Sequence, residues 1–299
     1  MRESLPREYA PNTDALLLNG KALAQQIRES LKERVAQLQT RGITPCLAVM
    51  LVGDDPASHT YVRTKARACE SVGIRSLVRH YPATVSQQEL EAQIDAWNAD
   101  PEVHGVLIQH PVPAPLDESA LLRRLDPRKD VDGITPRSLG ALLTGEEAFG
   151  ACTPLGIITL LDAYGIPIEG KHAVVVGRSV ILGKPMALML LNRNATVTIC
   201  HSRTRPLEHY TRQADILVAA LGKPEYITGE MIKPGAVVID AGYNRVEGRT
   251  GDVGDVHFES AAKVASAITP VPGGVGPMTV AMLLQNTVLS AERWASNAS

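Results

Sequence analysis

The sequence has few aromatic residues, no basic excess and no long apolar run. Aromatic side chains make up 4% of the 299 residues, and the formal net charge is −2. Proteins that bind nucleic acid through their surface charge carry a clear basic patch, so we expect no nucleic-acid partner. The apolar runs are too short to cross a bilayer, and no signal-peptide pattern opens the chain. We therefore expect a cytoplasmic protein with no membrane partner.

Cysteine and histidine residues show no pattern of a disulfide framework or a metal site. The cysteines are far apart and form no Cys-x-x-Cys pair; they are Cys46, Cys69, Cys152 and Cys200. Isolated thiols of this kind are typical of a reducing cytoplasm. The eight histidines lack the spacing of metal ligands, so we expect no metal.

The sequence does contain a regular alternation of apolar strands and amphipathic helices. Its length and its 44% of apolar residues suit about two globular domains. We predict strands at 46–52, 74–81 and 105–109, and then at 173–176, 196–200, 215–220, 236–240 and 265–268. We predict helices at 21–41, 58–72, 86–98, 153–164 and 277–294. This order predicts an α/β fold of two domains, each with a parallel sheet.

The predicted domain boundary lies near residue 150. The first domain spans 14–150 and is completed by 275–299, and the second spans 151–274. The closing helix follows the last strand of the second sheet, so we expect it to return to the first domain. Thr153 is predicted as the N-cap of the helix at 153–164. Residues 1–13 predict a polar, poorly ordered tail.

A glycine- and proline-rich segment precedes the closing helix. It reads Pro272-Gly273-Gly274-Val275-Gly276-Pro277-Met278-Thr279. Proline fixes the backbone and glycine permits close approach, so this loop has a defined shape whose backbone can lie against a ligand. The alternative is a tight connection after a strand.

The second domain has features of a dinucleotide site. The turn at 177–185 lies between a strand and a helix, where a parallel sheet presents backbone N–H groups to a phosphate. The next strand ends without the acidic residue that holds the ribose hydroxyls of NAD. Instead Ser202 lies two residues after Cys200, and Arg178 lies in the neighbouring turn. These donors favour the 2′-phosphate of NADP. The alternatives are an ordinary turn and solvated loop residues, and we prefer the latter for Arg205.

In the first domain, polar residues gather at the predicted carboxyl ends of the strands. Tyr61 and Lys65 share one face of a helix, and Gln109 ends another strand of the same sheet. Ligands of open α/β sheets bind at this edge. In the acidic turn that follows, Asp132 is the better candidate for a ligand contact, and Asp130 is predicted as a turn or cap residue.

These motifs, in this order, resemble the bifunctional methylenetetrahydrofolate dehydrogenase/methenyltetrahydrofolate cyclohydrolase family over residues 14–292. The matching segments are Gly53-Asp54-Asp55-Pro56-Ala57-Ser58, Tyr61-x-x-x-Lys65, Gln109-x-Pro111-x-Pro113, Lys129-Asp130-Val131-Asp132-Gly133, Cys152-Thr153-Pro154, Gly177-Arg178-Ser179, Gly183-x-Pro185, Val238-Ile239-Asp240 and Pro270 to Thr279.

The resemblance implies a folate-binding catalytic domain and a Rossmann-type NADP-binding domain. Lys65 would be the catalytic cation, oriented by Gln109, while Tyr61 would stack on the aminobenzoyl group and Asp132 would accept hydrogen bonds from the pterin. The glycine-rich loop residues Pro272, Gly273 and Gly274 would form a wall of the folate pocket. The residues at the NADP-binding positions would be Gly177, Arg178, Ser179, Ser202 and Tyr243. A homodimer and a role in one-carbon metabolism and purine biosynthesis are also implied.

Three positions depart from the pattern of the family. They are His110, where an apolar residue is common, Leu155, where a basic residue is common, and the large Tyr243 beside the expected nicotinamide site. None of the three removes a residue with an implied chemical role. Two other functions stay open: a dehydrogenase with weak cyclohydrolase activity, and a folate- or nucleotide-binding regulator without turnover.

Overall fold

The computed structural model describes residues 5–249 and 251–297. The helices are α1 (Gly20–Thr40), α2 (Pro56–Val72), α3 (Gln87–Ala99), α4 (Glu118–Arg124), α5 (Pro136–Thr144), α6 (Cys152–Ala163), α7 (Gly183–Asn192), α8 (Leu207–Thr211), α9 (Phe258–Ala262) and α10 (Val275–Asn297). The strands are β1 (Leu16–Leu17), β2 (Cys46–Val52), β3 (Arg75–Tyr81), β4 (Gly105–Ile108), β5 (His172–Val176), β6 (Thr196–Cys200), β7 (Ile216–Ala219), β8 (Val237–Asp240), β9 (Asn244–Arg245), β10 (Asp252–Val253) and β11 (Ala267–Ile268).

The chain divides into two compact α/β units. One contains the described residues up to Gln25 together with Thr153–Thr279, and the other contains Gln26–Cys152 together with the described residues from Val280 onward. Over the part of the chain that the structure describes, the first unit holds a sheet of six strands and the second a sheet of three. We refer to them as the six-stranded unit and the three-stranded unit.

In the three-stranded unit, β2 lies between β3 and β4, and both pairings are parallel. Every residue of β2 is buried, as expected for a central parallel strand that is covered on both faces. Met50 packs in a core with Leu90, Ile94 and Trp97 from α3. Because the strands are parallel, their carboxyl ends lie at one edge, from which the loop to α2 and residue Gln109 emerge.

In the six-stranded unit, the strand order is β1-β11-β8-β7-β5-β6, and all pairings in this sheet are parallel. β7 is fully buried, as is β5 after its first residue, and their side chains form a common core with β8 and β11. The strands β9 and β10 form a separate antiparallel pair. The predicted α/β fold with two parallel sheets is therefore confirmed.

The N-terminal segment differs from the prediction. Residues 14–25 were assigned to the first domain, but Leu16 and Leu17 pair with Ala267 and Ile268, so this segment belongs to the six-stranded unit. A strand of two residues is too short to show the alternation that identifies a strand in a sequence. Part of the predicted tail is also ordered, since Tyr9 forms a bridge with Leu16 and Ala10 is buried.

The ends of two helices also differ from the prediction. α6 begins at Cys152, so Thr153 lies inside its first turn instead of capping it. α10 begins at Val275, two residues earlier than predicted, so the segment 275–279 is helical and belongs to the six-stranded unit.

The remainder of α10 belongs to the three-stranded unit, as predicted for a helix that returns to the first domain. The Asn286 side chain donates to the Val131 carbonyl at 2.8 Å, and the Ser290 hydroxyl donates to the His104 carbonyl at 2.5 Å. The guanidinium of Arg34 on α1 also makes two hydrogen bonds, at 2.8 and 2.6 Å, to the carboxylate of Glu292. These bonds tie the helix to elements far away in the sequence.

Candidate active site

The loop between β2 and α2 lies at the carboxyl edge of the three-stranded sheet. Asp55 caps α2, because its side chain accepts a hydrogen bond from the Ser58 N–H at 2.7 Å, and Pro56 begins the helix. The helix therefore has a fixed start at this edge. Tyr61 and Lys65 lie on its next turns, four residues apart and on one face.

Lys65 reaches the end of β4. Its Nζ donates a hydrogen bond to Gln109 Oε1 at 3.0 Å. Gln109 is buried, its N–H donates to the Met50 carbonyl of β2 at 2.9 Å, and its side-chain amide donates to the His110 carbonyl at 2.8 Å. Because both its backbone and its amide nitrogen are held, Gln109 offers the ammonium an acceptor in a fixed position. The structure thus brings together the lysine and glutamine that the sequence pairs.

Asp132 lies near the same strand end. After the larger effects of burial and of Glu118, the charge of Asp132 raises the pKa of His110 and the charge of Lys65 lowers it. Asp132 also affects Cys152: burial, followed by the nearby carboxylate, raises the pKa of this thiol well above its ordinary value. Tyr61 is 40% exposed, so its ring is accessible from the solvent.

Asp130 has the structural role that the sequence predicts. Its carboxylate is fully buried and accepts hydrogen bonds from the N–H groups of Gly133 and Thr135 at 3.0 and 2.9 Å, and from the Ser138 hydroxyl at 2.6 Å. Burial raises the pKa of Asp130, although these hydrogen bonds oppose the effect. The residue therefore closes the acidic turn and supports Thr135, the N-cap of α5.

The glycine-rich loop of the six-stranded unit is held by close packing within its own unit. A Cβ at Gly274 would lie 2.6 Å from the Pro270 carbonyl oxygen, and a Cβ at Gly20 would lie 1.9 Å from the Gly274 carbonyl oxygen. The Lys21 N–H also donates to the Gly273 carbonyl at 2.8 Å. Packing alone therefore accounts for glycine at 274, and the role of Pro272, Gly273 and Gly274 toward folate stays a prediction.

The turn after β5 packs closely against the segment that follows β7. Gly177 has a φ of +148°, and a Cβ there would lie 2.3 Å from the Ala220 carbonyl oxygen, so only glycine fits. The Ser179 hydroxyl accepts a bond from the Gly183 N–H, at the start of α7, at 3.3 Å. Arg178 and Ser179 are exposed. The turn therefore presents their side chains at the carboxyl edge of the sheet.

The segment after β6 lies at the same edge, since Cys200 pairs with Val176 of β5. Ser202 is exposed. Arg205 donates to the carbonyls of Ser202 and Thr204 at 3.1 and 2.7 Å, and it is exposed, in line with the solvated loop residue preferred for this position. Tyr243 follows β8 and is 54% exposed.

Comparison with known proteins gives a family for both parts of the chain. Residues 18–132 match the catalytic domain of tetrahydrofolate dehydrogenase/cyclohydrolase, and residues 151–295 match its NAD(P)-binding domain. The chain belongs to this family. The bifunctional protein FolD of Moorella thermoacetica is 59% identical over 279 residues, which are 93% of this chain and 99% of that protein.

Solved structures of the tetrahydrofolate dehydrogenase/cyclohydrolase family have the same fold. The Campylobacter jejuni bifunctional enzyme is 52% identical, with a TM-score of 0.91 over 93% of this chain and 98% of its own. The Trypanosoma brucei enzyme, whose structure contains NADP and an inhibitor, is 39% identical, with a TM-score of 0.89 over 97% of this chain and 99% of its own.

Family membership confirms the main functional expectations. The protein is a bifunctional dehydrogenase and cyclohydrolase of one-carbon metabolism, and its second domain is of the NAD(P)-binding type. No helix within residues 5–249 and 251–297 has the length and apolar character that a membrane span requires.

One residue near the candidate site of this dehydrogenase/cyclohydrolase was not predicted. Glu118, at the start of α4, accepts a hydrogen bond from His110 Nδ1 at 2.6 Å and another from the Val112 N–H at 2.8 Å. Burial is the largest single effect on the pKa of His110 and lowers it, but the hydrogen bond and charge of Glu118, together with the charge of Asp132, raise this pKa overall. Burial is likewise the largest effect on the pKa of Glu118 and raises it, but the bonds from His110 and Val112, together with the charge of His110, lower this pKa overall. No sequence pattern links residues 110 and 118, because the pair depends on how the loop folds.

Two buried aspartates shape the loops of the cofactor domain. Asp240, at the end of β8, accepts hydrogen bonds from the N–H groups of Gly242, Asp255 and Val256, each at 2.9 Å. Burial raises the pKa of Asp240 to about 6. Asp255 is fully buried and in turn accepts bonds from the loop that follows β7. Asp240 is part of a family motif, and Asp255 was not singled out from the sequence.

Proposed function

We propose that the edge of the three-stranded sheet oxidises methylenetetrahydrofolate to methenyltetrahydrofolate and hydrolyses the product to formyltetrahydrofolate. The observation that carries this assignment is the hydrogen bond of 3.0 Å between Lys65 Nζ and Gln109 Oε1. An ammonium held by one neutral acceptor keeps two further N–H donors for water and substrate. This is a suitable arrangement for proton handling beside a cationic methenyl bridge.

Each residue of the cluster has a separate role in this proposal. Lys65 moves protons between the attacking water and the folate nitrogen, and Gln109 holds the ammonium in position. Tyr61 stacks on the aminobenzoyl group, which its exposed ring supports. Asp132 accepts hydrogen bonds from the amino and ring N–H groups of the pterin. Positioning by these groups is the larger part of the protein's contribution.

Two observations support NADP binding at the proposed cofactor residues. The turn that begins at Gly177 lies between strand β5 and helix α7, where parallel sheets bind dinucleotide phosphates. The exposed Arg178, Ser179 and Ser202 supply donors without a nearby acid at the end of β6. We assign Arg178 and Ser202 to the 2′-phosphate, Gly177 and Ser179 to the diphosphate, and Tyr243 to the nicotinamide end. When bound, NADP supplies the hydride acceptor for the oxidation.

We also propose that the enzyme acts as a homodimer in the cytoplasm and that its product serves purine biosynthesis. Cys46, Cys69, Cys152 and Cys200 are all free and buried, as suits a reducing compartment. β6 is the edge strand of its sheet and exposes Ile199, which suits pairing with a second copy. Sedimentation equilibrium of the purified protein tests the dimer, and a species of 32.1 kDa at micromolar concentration would contradict it.

One coupled absorbance assay tests the proposed reactions. Methylenetetrahydrofolate and NADP are mixed with the enzyme, and the methenyl band is followed as it forms and then decays. We expect formation that requires NADP, followed by enzyme-dependent decay. Formation without accelerated decay indicates a dehydrogenase with weak cyclohydrolase activity. Cofactor binding without formation indicates a non-catalytic regulator and contradicts the proposal.

A further inference from the structure

Three potential metal ligands lie together at the edge of the three-stranded sheet, outside the Lys65 cluster. They are Asp54 in the loop after β2, His59 in the first turn of α2, and His80 near the end of β3. One ligand atom from each residue lies within 4.8 Å of the other two. The Asp54 side chain is 79% exposed, and those of His59 and His80 are 35% and 42% exposed. An ion from solution therefore has access to all three.

The fold fixes the backbone that carries these side chains. β2 and β3 are paired in parallel along their whole length, and the pairing continues past β2 because the Gly53 N–H donates to the Tyr81 carbonyl at 2.9 Å. The cap at Asp55 fixes the first turn of α2. His59 lies 5 positions after Asp54 and 21 positions before His80, and the fold brings the three residues together. This explains why no metal-ligand spacing is visible in the sequence.

The distances suit a tetrahedral ion. Asp54 Oδ1 lies 3.3 Å from His80 Nε2 and 3.7 Å from His59 Nε2. Zinc binds imidazole nitrogen at about 2.0–2.1 Å and carboxylate oxygen at about 2.0–2.2 Å, so adjacent ligand atoms in a tetrahedron are about 3.3–3.5 Å apart. The two imidazole rings meet edge to face, with centroids 4.8 Å apart and an angle of 81°. Both distances from the carboxylate to an imidazole are therefore close to those of a tetrahedral site.

We propose that Asp54, His59 and His80 form a binding site for one divalent transition-metal ion of the zinc class, with water in the remaining coordination position. Two imidazoles and one carboxylate favour such an ion over Mg²⁺ or Ca²⁺, which take mainly oxygen ligands. His80 Nε2 also lies 3.0 Å from the Gly53 carbonyl oxygen. The ion replaces that hydrogen bond, and the neutral His80 ring then carries its proton on Nδ1.

The ion would tie three elements together: the loop after β2, the start of α2 and the end of β3. α2 also carries Tyr61 and Lys65, which follow His59 by two and six residues. Metal binding therefore stabilises the start of the helix that presents the candidate catalytic side chains. This inference does not depend on the proposed reactions, and it is measured without turnover.

A cobalt titration tests the site on the full-length protein, after treatment with a chelator and removal of any histidine tag. Co²⁺ gives strong visible absorption bands only in a tetrahedral environment. We expect these bands to saturate at one ion per chain and to disappear when Zn²⁺ is added. His59→Gln and His80→Gln should each weaken Zn²⁺ binding at least about tenfold in calorimetric titration. His209→Gln, which removes an exposed histidine of the other unit, is the matched control and should bind as the parent protein does.

Zinc should also raise the thermal midpoint of the parent protein and of His209→Gln, but not that of the two cluster variants. If a histidine variant fails to fold by circular dichroism, Asp54→Asn serves in its place, since that side chain lies mostly in solvent. The proposal is overturned if the parent protein binds no ion at a ratio of one, or if folded cluster variants bind as tightly as the control. In that case the three residues form ordinary histidine–aspartate ion pairs.

Discussion

Replacing Asp255 with asparagine should destabilise the six-stranded unit by disrupting the loop that follows β7. One oxygen of Asp255 accepts the N–H groups of Leu221 and Gly222 at 2.5 and 2.9 Å. The other accepts the Lys223 N–H and the Asn244 side-chain amide, both at 2.9 Å. An asparagine keeps one oxygen and places an NH₂ donor where the second stood.

The magnitude follows from the number of donors that lose their acceptor. Whichever way the asparagine amide is oriented, two of the four hydrogen bonds are lost. The two N–H groups that made them then face the new NH₂ group, which is itself a donor. A buried donor without a partner costs about 1–3 kcal/mol. Because the donors around Asp255 are partly buried, water offsets some of this cost, and we expect a loss of about 2–4 kcal/mol in the free energy of unfolding.

Chemical denaturation followed by circular dichroism measures this loss. Tryptophan fluorescence gives a second probe, because Trp97 and Trp294 both belong to the three-stranded unit. We expect the dichroism transition to move to lower denaturant, together with faster amide exchange at 221–223. Asp14→Asn, at an exposed position of the same unit, should match the parent protein. A change below about 0.5 kcal/mol for Asp255→Asn, the size of an ordinary surface substitution, would refute the reasoning.

Two further predictions concern the cofactor and the pH dependence of stability. Arg178→Ala should weaken NADP binding more than NAD binding by about 1.5–3 kcal/mol, the worth of one charge-assisted contact; equal weakening in titrations with both cofactors would show that Arg178 does not contact the 2′-phosphate. His110→Leu should destabilise the protein most at mildly acidic pH. The raised pKa of His110 contributes stability that is fully present below pH 6.5 and is lost as the pH rises through the folded-state pKa. The lowered pKa of Glu118 contributes stability that is present above pH 4.5 and is lost as the pH falls through the folded-state pKa. Denaturation at pH 5.5 and 8.5 checks this, and an unchanged difference between the two proteins would contradict it.

Strands and helices with strong patterns could be predicted from the sequence. The continuous apolar run at 46–52 is β2, and the segment 196–200, with its β-branched residues, is β6; both have the predicted bounds. Ser86 caps α3 as its capping-box pattern indicates. The missed elements are strands of two residues and helices of five to nine residues, which repeat their period too few times to be identified; they include β1, α4, α5, α8, α9 and the pair β9–β10.

The contacts of the candidate site also include some that could be predicted and some that could not. The rule that the carboxyl ends of parallel strands share an edge placed Gln109 on the same side of the sheet as the start of the Lys65 helix. The family resemblance then paired the two side chains, and the structure shows their hydrogen bond. The contacts of His110 with Glu118, and of Asp54 with His59 and His80, depend on side-chain directions and on loop geometry. Neither is encoded in a local pattern, so only the folded structure shows them.

The central claim, that Lys65 is the hydrolytic group, is tested most directly by Lys65→Met. Methionine keeps the length and apolar volume of the side chain but removes the amine. Both activities are measured on one preparation of the folded protein, with Arg67→Met, an exposed cation of the same helix, as the control. We predict that cyclohydrolase activity falls about 10²–10⁴-fold, as for the loss of a general acid or base, and that dehydrogenase activity falls less because NADP carries the oxidation. Retained cyclohydrolase activity with a lost dehydrogenase would contradict the roles assigned to Tyr61, Lys65 and Gln109.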